Sequence, residues 1–159
     1  MPDITFHHDP LREEIEYISD NLRAADFEEF VMATGRHPYG LLVKRAMASE
    51  GTMIAVVDGR PAAVFGCVPQ GRTGAPWMLG TADITGYAAA RACVEVGREL
   101  FDYWARDYPD GLRHRAYADN PVHLRYIRAL GCEIDEPKPY GPMGAEFREF
   151  SYVLHPGSN

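Results

Sequence analysis

The hydrophobic pattern changes period near residue 52. Before that point apolar residues recur three and four apart. Leu11, Ile15, Ile18 and Leu22 put one apolar stripe on a helix. Asp9 followed by Pro10 reads as its N-cap and first helical residue. Asp26 opens a second helical piece with Phe27, Phe30 and Val31 on one side, and Gly35 stops it. Pro38 begins a third, carrying Leu41, Leu42 and Met47. A short strand over 3–6 precedes all three.

After residue 52 the runs become β-rich. "TMIAVV" and "RPAAVFGCV" flank Asp58-Gly59, a pair suited to a two-residue hairpin turn. "GRTG" (71–74) is another turn, and "APWMLGT" (75–81) reads as a third strand. A long helix is predicted over 84–108, with Cys93, Val96, Leu100 and Trp104 as its stripe. A strand over 112–118, a short helix over 121–130 and strands over 132–134 and 147–154 complete the chain. "DEPKPYGPMG" (135–144) is read as a loop.

The short helix has sharp ends for a physical reason. Asn120 can cap its first turn, where Pro121 has a suitable φ and no N–H to waste. Gly131 can take the positive φ that lets the chain leave at once into a strand. The whole order predicts one α/β (α+β) domain over 1–159, with a helical part at 9–50 and a sheet-bearing part at 52–154. A mixed, mostly antiparallel central sheet with helices on both faces is the economical packing.

Composition narrows the function classes. A formal net charge of −7 argues against a non-specific nucleic-acid binder, which needs cations to displace phosphate counterions. Cys67, Cys93 and Cys132 are odd in number and lack C-x-x-C spacing, so they read as free thiols in a reducing compartment. The first ten residues have no basic start before an apolar run, and no apolar stretch approaches a membrane span. The expected location is therefore the cytoplasm, with no membrane partner. His7 and His8 would point to opposite faces of a strand, so no metal site is expected. Arg113, His114, Arg115, Arg125 and Arg128 form a local basic cluster, read as a solvated face.

The element order, with Asn120 and Gly131 eleven apart, resembles the acyl-CoA N-acyltransferase (GNAT) superfamily. Three stretches are similar to GNAT-like proteins of tailed phages, among them the internal virion protein of short-tailed phages. These are "WMLGT", N-x-x-H-L-R-Y-I-x-x-L-G from Asn120, and G-x-x-G-A-E-F-x-x-F from Gly141. The resemblance implies a fold, a cofactor and a set of positions. Met78, Leu79 and Gly80 would form the strand edge that pairs with the pantetheine arm of acetyl-CoA. Gly86 and Ala88 would fit the pyrophosphate loop "DITGYA" (83–88), and Asn120 would complete the cofactor-binding set.

Two positions depart from the family pattern. Asp83 stands where a cation or amide belongs, and it reads instead as the N-cap of the long helix. Ile127 occupies the place of the tyrosine that protonates the leaving thiolate. Tyr126 is one residue away, about 100° around a helix. No acid in "APWMLGT" offers an amine base, and His114, Asp119 and His123 are the nearby substitutes. Tyr126 and His123 are thus the catalytic candidates. Two expectations follow. One is a phage-type GNAT-fold protein with weakened chemistry, acting in virion structure or particle assembly through contacts with other phage proteins. The other is an active acetyl-CoA-dependent N-acetyltransferase on a small amine or protein amino group, in which Tyr126 or Tyr87 would replace the usual acid.

Overall fold

The computed structural model describes residues 1–154. The chain runs β1 (Ile4–His8), α1 (Arg12–Asp20), α2 (Ala24–Thr34), α3 (Leu41–Ala48), β2 (Glu50–Val57), β3 (Arg60–Gln70) and β4 (Thr73–Gly80). It continues through α4 (Tyr87–Ala105), β5 (Leu112–Tyr117), α5 (Pro121–Ala129), β6 (Glu133–Ile134), β7 (Lys138–Tyr140) and β8 (Ala145–Tyr152).

Local chemistry explains most boundaries, including those the sequence misplaces. Asp9 takes a φ of 57° and turns the chain after β1, so it does not cap α1. Leu11 is the N-cap, and the Glu14 carboxylate accepts the Leu11 N–H at 2.8 Å. Helix α2 begins at Ala24, before Asp26, and its buried residues are Asp26, Glu29 and Phe30. Helix α3 begins after Gly40, not at Pro38. Asp83 does not cap the long helix either. It lies in a single 3-10 turn, Ala82–Ile84, and the α4 N-cap is Gly86, with no side-chain cap. The expected loop at 135–144 contains β7, which forms a hairpin with β8.

All eight strands join one sheet in the order β1-β2-β3-β4-β5-β8-β6, with β7 paired to β8. Every pairing is antiparallel except β4 with β5, which touch at one parallel pair, Gly74 and Leu112. Two hydrophobic layers cover the faces. Ile15 and Ile18 of α1, Phe30 of α2 and Leu42 of α3 pack on Val64, Trp77 and Leu79. Cys93, Leu100 and Trp104 of α4 and Leu124 and Ile127 of α5 pack on Phe65, Cys67 and Phe150 on the other face. No helix among the described residues is long and apolar enough to cross a membrane.

Candidate active site between β4 and β5

Thr81 N–H donates to Ala62 O at 2.8 Å, which bonds that residue toward β3. Hydrogen bonding alternates along an antiparallel pair, so Gly80, Met78, Pro76 and Gly74 turn their main-chain groups the other way, toward β5. Gly74 finds a partner there, donating to Gly111 O at 3.1 Å. Pro76 has no N–H to satisfy. Beyond it β5 has diverged, and the Met78 N–H and C=O face a gap with no hydrogen-bond partner among the described residues. Leu79 bonds toward β3 and buries its side chain against the α1–α3 layer.

The far end of the gap is bridged by side chains of α2. Asp26 Oδ2 accepts from Gly80 N–H at 2.9 Å and from Arg23 Nε at 2.8 Å, and Gly80 O accepts from Arg23 N–H at 3.0 Å. Asp26 Oδ1 accepts from Asn120 Nδ2 at 3.2 Å. The Asn120 carbonyl in turn accepts from His123 N–H at 3.2 Å, so Asn120 caps α5 as its position implied. Glu29 reaches the other strand, where its Oε1 accepts from Tyr117 N–H at 2.8 Å. The same carboxylate lies 2.9 Å from His123 Nδ1.

An ionised carboxylate only accepts, so Nδ1 of His123 carries the shared proton and the lone pair of the neutral ring is on Nε2. Burial pulls the His123 pKa down, but the charge and hydrogen bond of Glu29 outweigh it and leave it above 6.5. His123 lines recesses on both faces of the sheet. The recess toward α4 and α5 is about 10 Å³ and is walled by Met78, Tyr126, Ile127 and Phe150. The one toward α2 and α3 is about 90 Å³ and is lined by Glu29, Arg45, Trp77, His114 and Tyr140 among others. Burial, with help from the Arg45 charge, holds the His114 pKa down to about 4.

Of the catalytic candidates, His123 stands in the gap and Tyr126 stands aside. The Tyr126 hydroxyl donates to Cys93 O at 3.3 Å, under α4 beside Gly97, and burial pushes its pKa well above the usual range. Ile127 is buried in the core. Asp119 is exposed. Asp83 turns to Arg60, whose Nε donates to it at 3.0 Å. Gly86 is exposed, with nothing within 4 Å of where a Cβ would sit, and Ala88 is half-buried in the first turn of α4. The basic cluster disperses: Arg113 and Arg115 share Glu149, and Arg115 lies 4.3 Å over the Tyr140 ring. The three thiols are free, and burial pushes each up to about 12. Among the described residues no group of three His, Cys, Asp or Glu is placed to hold a metal ion.

Sequence reasoning missed Asp26 as a bridge and Glu29 altogether. A signal existed. Residues three and four apart share a helix face, so 26, 29 and 30 share the stripe of the buried Phe30. Two carboxylates on an apolar stripe need buried donors, and the gap supplies them.

This architecture, a mixed sheet whose two parallel central strands part and an uncapped helix after the first of them, matches the GNAT fold. Solved structures match it over nearly full length. Similar to this chain are a ribosomal-protein-alanine N-acetyltransferase from Brucella melitensis (TM-score 0.70, 13% identity, covering 94% of this chain and 99% of that one) and the ribosomal-protein-S18-alanine N-acetyltransferase from Escherichia coli (TM-score 0.63, 14%, 99% and 99%). A Bacillus subtilis acetyltransferase in complex with CoA is similar too (TM-score 0.62, 8%, 96% and 100%). No family model and no curated protein matches the sequence.

Proposed function

We propose that the protein is an acyl-CoA-dependent N-acyltransferase acting on an amine. The observation that carries this reading is the Glu29–His123 pair at the inner end of the β4–β5 gap, beside the unpaired main chain of Met78. Acetyl-CoA, when bound, supplies an activated acyl thioester. The residues fit it in two places. Met78 offers one N–H and one C=O to an extended arm. The first turn of α4 offers N–H groups that no side chain caps, at the positive end of a 19-residue helix. His123 Nε2 is the base that takes the proton of an ammonium, and Glu29 stabilises the imidazolium that results. Asp83 carries no free charge against an anion there, because Arg60 pairs with it.

Acetyl-CoA at about 100 times its dissociation constant should stabilise the fold by about 2.7 kcal/mol. No rise in melting temperature at millimolar acetyl-CoA would remove this reading. Glu29→Gln should keep cofactor binding while lowering acyl transfer about 10²- to 10⁴-fold. An unchanged rate would show that the pair is not the base.

A second reading is favoured by two observations. Gly80 already spends both main-chain groups on Asp26 and Arg23, and the recess toward α4 and α5 is only about 10 Å³. Under this reading the bridge is a permanent joint. The chain then works through protein contacts, and a phage-type role in the virion or its assembly rests on the sequence resemblance alone. Acetyl-CoA that fails to bind the native chain, yet binds when Asp26 is replaced, would favour it.

A further inference from the structure

The larger of the two recesses that His123 lines contains a cation that the fold leaves unpaired. Arg45 projects from α3 and its guanidinium lies over two aromatic faces, 5.0 Å from the centre of Phe30 and 5.8 Å from that of Trp77. It forms no ion pair and no side-chain hydrogen bond among the described residues, although it lines the recess. The acids nearby are committed elsewhere. Glu29 holds His123 and the Tyr117 N–H, and Glu149 is shared between Arg113 and Arg115. Burial lowers the Arg45 pKa, against the charges of Tyr140 and Glu29, yet a guanidinium keeps its proton at any working pH. His114 is depressed and so stays neutral near pH 7. The recess therefore sets one unpaired cation, Arg45, opposite the Glu29 carboxylate, on a chain of net charge −7.

Among the described residues none of the five guanidinium donors has a protein acceptor, and none is sealed from solvent, so they stand open to a planar anion that can accept two of them at once. The rest of the lining, Phe30, Trp77, Tyr140 and Phe147, suits an apolar body. The volume of about 90 Å³ is several times the ~10–15 Å³ that one water needs, but it is small for a protein side of an interface.

From this arrangement we infer that the acceptor is a free amino acid: its carboxylate is bound by Arg45 and its amino group faces the Glu29–His123 pair. For what happens to that amino group, the inference rests on the acyltransferase reading. The ammonium gives one proton to His123 Nε2. The nitrogen lone pair then attacks the carbonyl carbon of the acyl thioester, a C–N bond forms and the C–S bond breaks. The electron pair leaves with sulfur as a thiolate, and the second amine proton passes to that thiolate or to solvent. Amide and thiol are the products, and no oxidant or reductant is consumed.

The test compares amino acids with the same molecules lacking the carboxylate: glycine with methylamine, valine with isobutylamine, phenylalanine with phenethylamine. Each is titrated into the full chain by calorimetry, without and with acetyl-CoA, and N-acetyl products are then measured. At least one acid should bind about tenfold or more tightly than its amine, as a charged hydrogen-bonded contact requires. Arg45→Met should reduce that preference to within about twofold, and Arg45→Lys should retain part of it, since Lys keeps the charge but loses the fork. The native acid–amine comparison needs no variant, so poor folding of Arg45→Met leaves the test intact. Equal binding of acid and amine, no binding of either, a preference that survives Arg45→Met, or tighter binding of an amidated peptide would each overturn the inference. Failure here with a clear acetyl-CoA shift leaves the acyltransferase reading standing. Arg45-dependent amino-acid binding without an acetyl-CoA shift does the reverse.

Discussion

The two ends of β4 are held to β5 by different means. At its start, Gly74 and Leu112 form a parallel pair and Gly74 N–H donates to a main-chain carbonyl. At its end, no main-chain bond crosses between the strands. Asp26 holds Gly80 and Glu29 holds Tyr117, so a helix on one face does the work of the missing ladder. A sheet ladder fixes strand spacing at about 4.8 Å. Two carboxylates on a helix do not, and they leave Met78 unpaired between them. The comparison separates a closed end built for stability from a parted end where side chains substitute for backbone.

Breaking the parted end should have the largest effect. Asp26 is 2% exposed and serves Gly80, Arg23 and Asn120 at once. Asp26→Leu strands a largely buried guanidinium, an amide and an N–H together, and should cost about 3–5 kcal/mol in urea unfolding. The matching change at the closed end is steric. A Cβ at Gly74 would stand 2.5 Å from the Tyr108 ring and 2.7 Å from Cys67 Sγ, so Gly74→Ala should cost about 1–3 kcal/mol. If Asp26→Leu cost less than Gly74→Ala, the bridge would be incidental to the fold.

The same region should set the response to acid. The folded pKa of His114 is about 4 against an ordinary 6.5, with Arg45, Glu29, His123 and Arg115 as the charged groups around it. Between those values the unfolded chain binds a proton that the folded chain refuses. The contribution is complete above pH 6.5 and drains as pH falls toward 4, by up to about 3 kcal/mol. His123 has the opposite sign. Its pKa is raised, so its contribution is complete below 6.5 and fades as pH climbs through the folded value. His114→Leu should flatten the acid limb of a stability–pH curve and leave the neutral limb to His123. An acid limb unchanged in that variant would show that His114 takes up its proton in the folded state.

What could be read from sequence divides along the same line. The Asp58-Gly59 hairpin, the stripe of α4 and the Asn120–Gly131 frame of α5 are set by local chemistry, and they form as that chemistry implies. The joint at the end of β4 is not local. Glu29 and Tyr117 are 88 residues apart, and Asp26 and Gly80 are 54 apart, so no window of sequence contains either bond. Pro76 was a usable hint, since a proline in a central strand marks a position that owes no ladder bond. Asp9 and Asp83 misled for the opposite reason. Each looks like a helix cap, but Asp9 sits at positive φ and Asp83 is drawn to Arg60 at the start of β3.

The smallest effect expected is at Tyr126, and its smallness is informative. Its hydroxyl makes one long bond, 3.3 Å to a main-chain carbonyl of α4 that already belongs to a helix. Tyr126→Phe removes that bond and keeps the ring beside Gly97, so stability should fall by about 0.5–1 kcal/mol. Ring packing decides the position of α5 here, and a phenol held well above its usual pKa gives up no proton near neutrality. If the chain transfers acyl groups, Tyr126→Phe should leave kcat within about twofold, because removing a true general acid costs about 10²-fold or more. A loss of that larger size, with the melting temperature nearly unchanged, would mean that α5 rotates in the working protein and brings the hydroxyl into the gap. The parted end of β4 would then be a moving part, and the bridges from Asp26 and Glu29 would be the contacts that reset it.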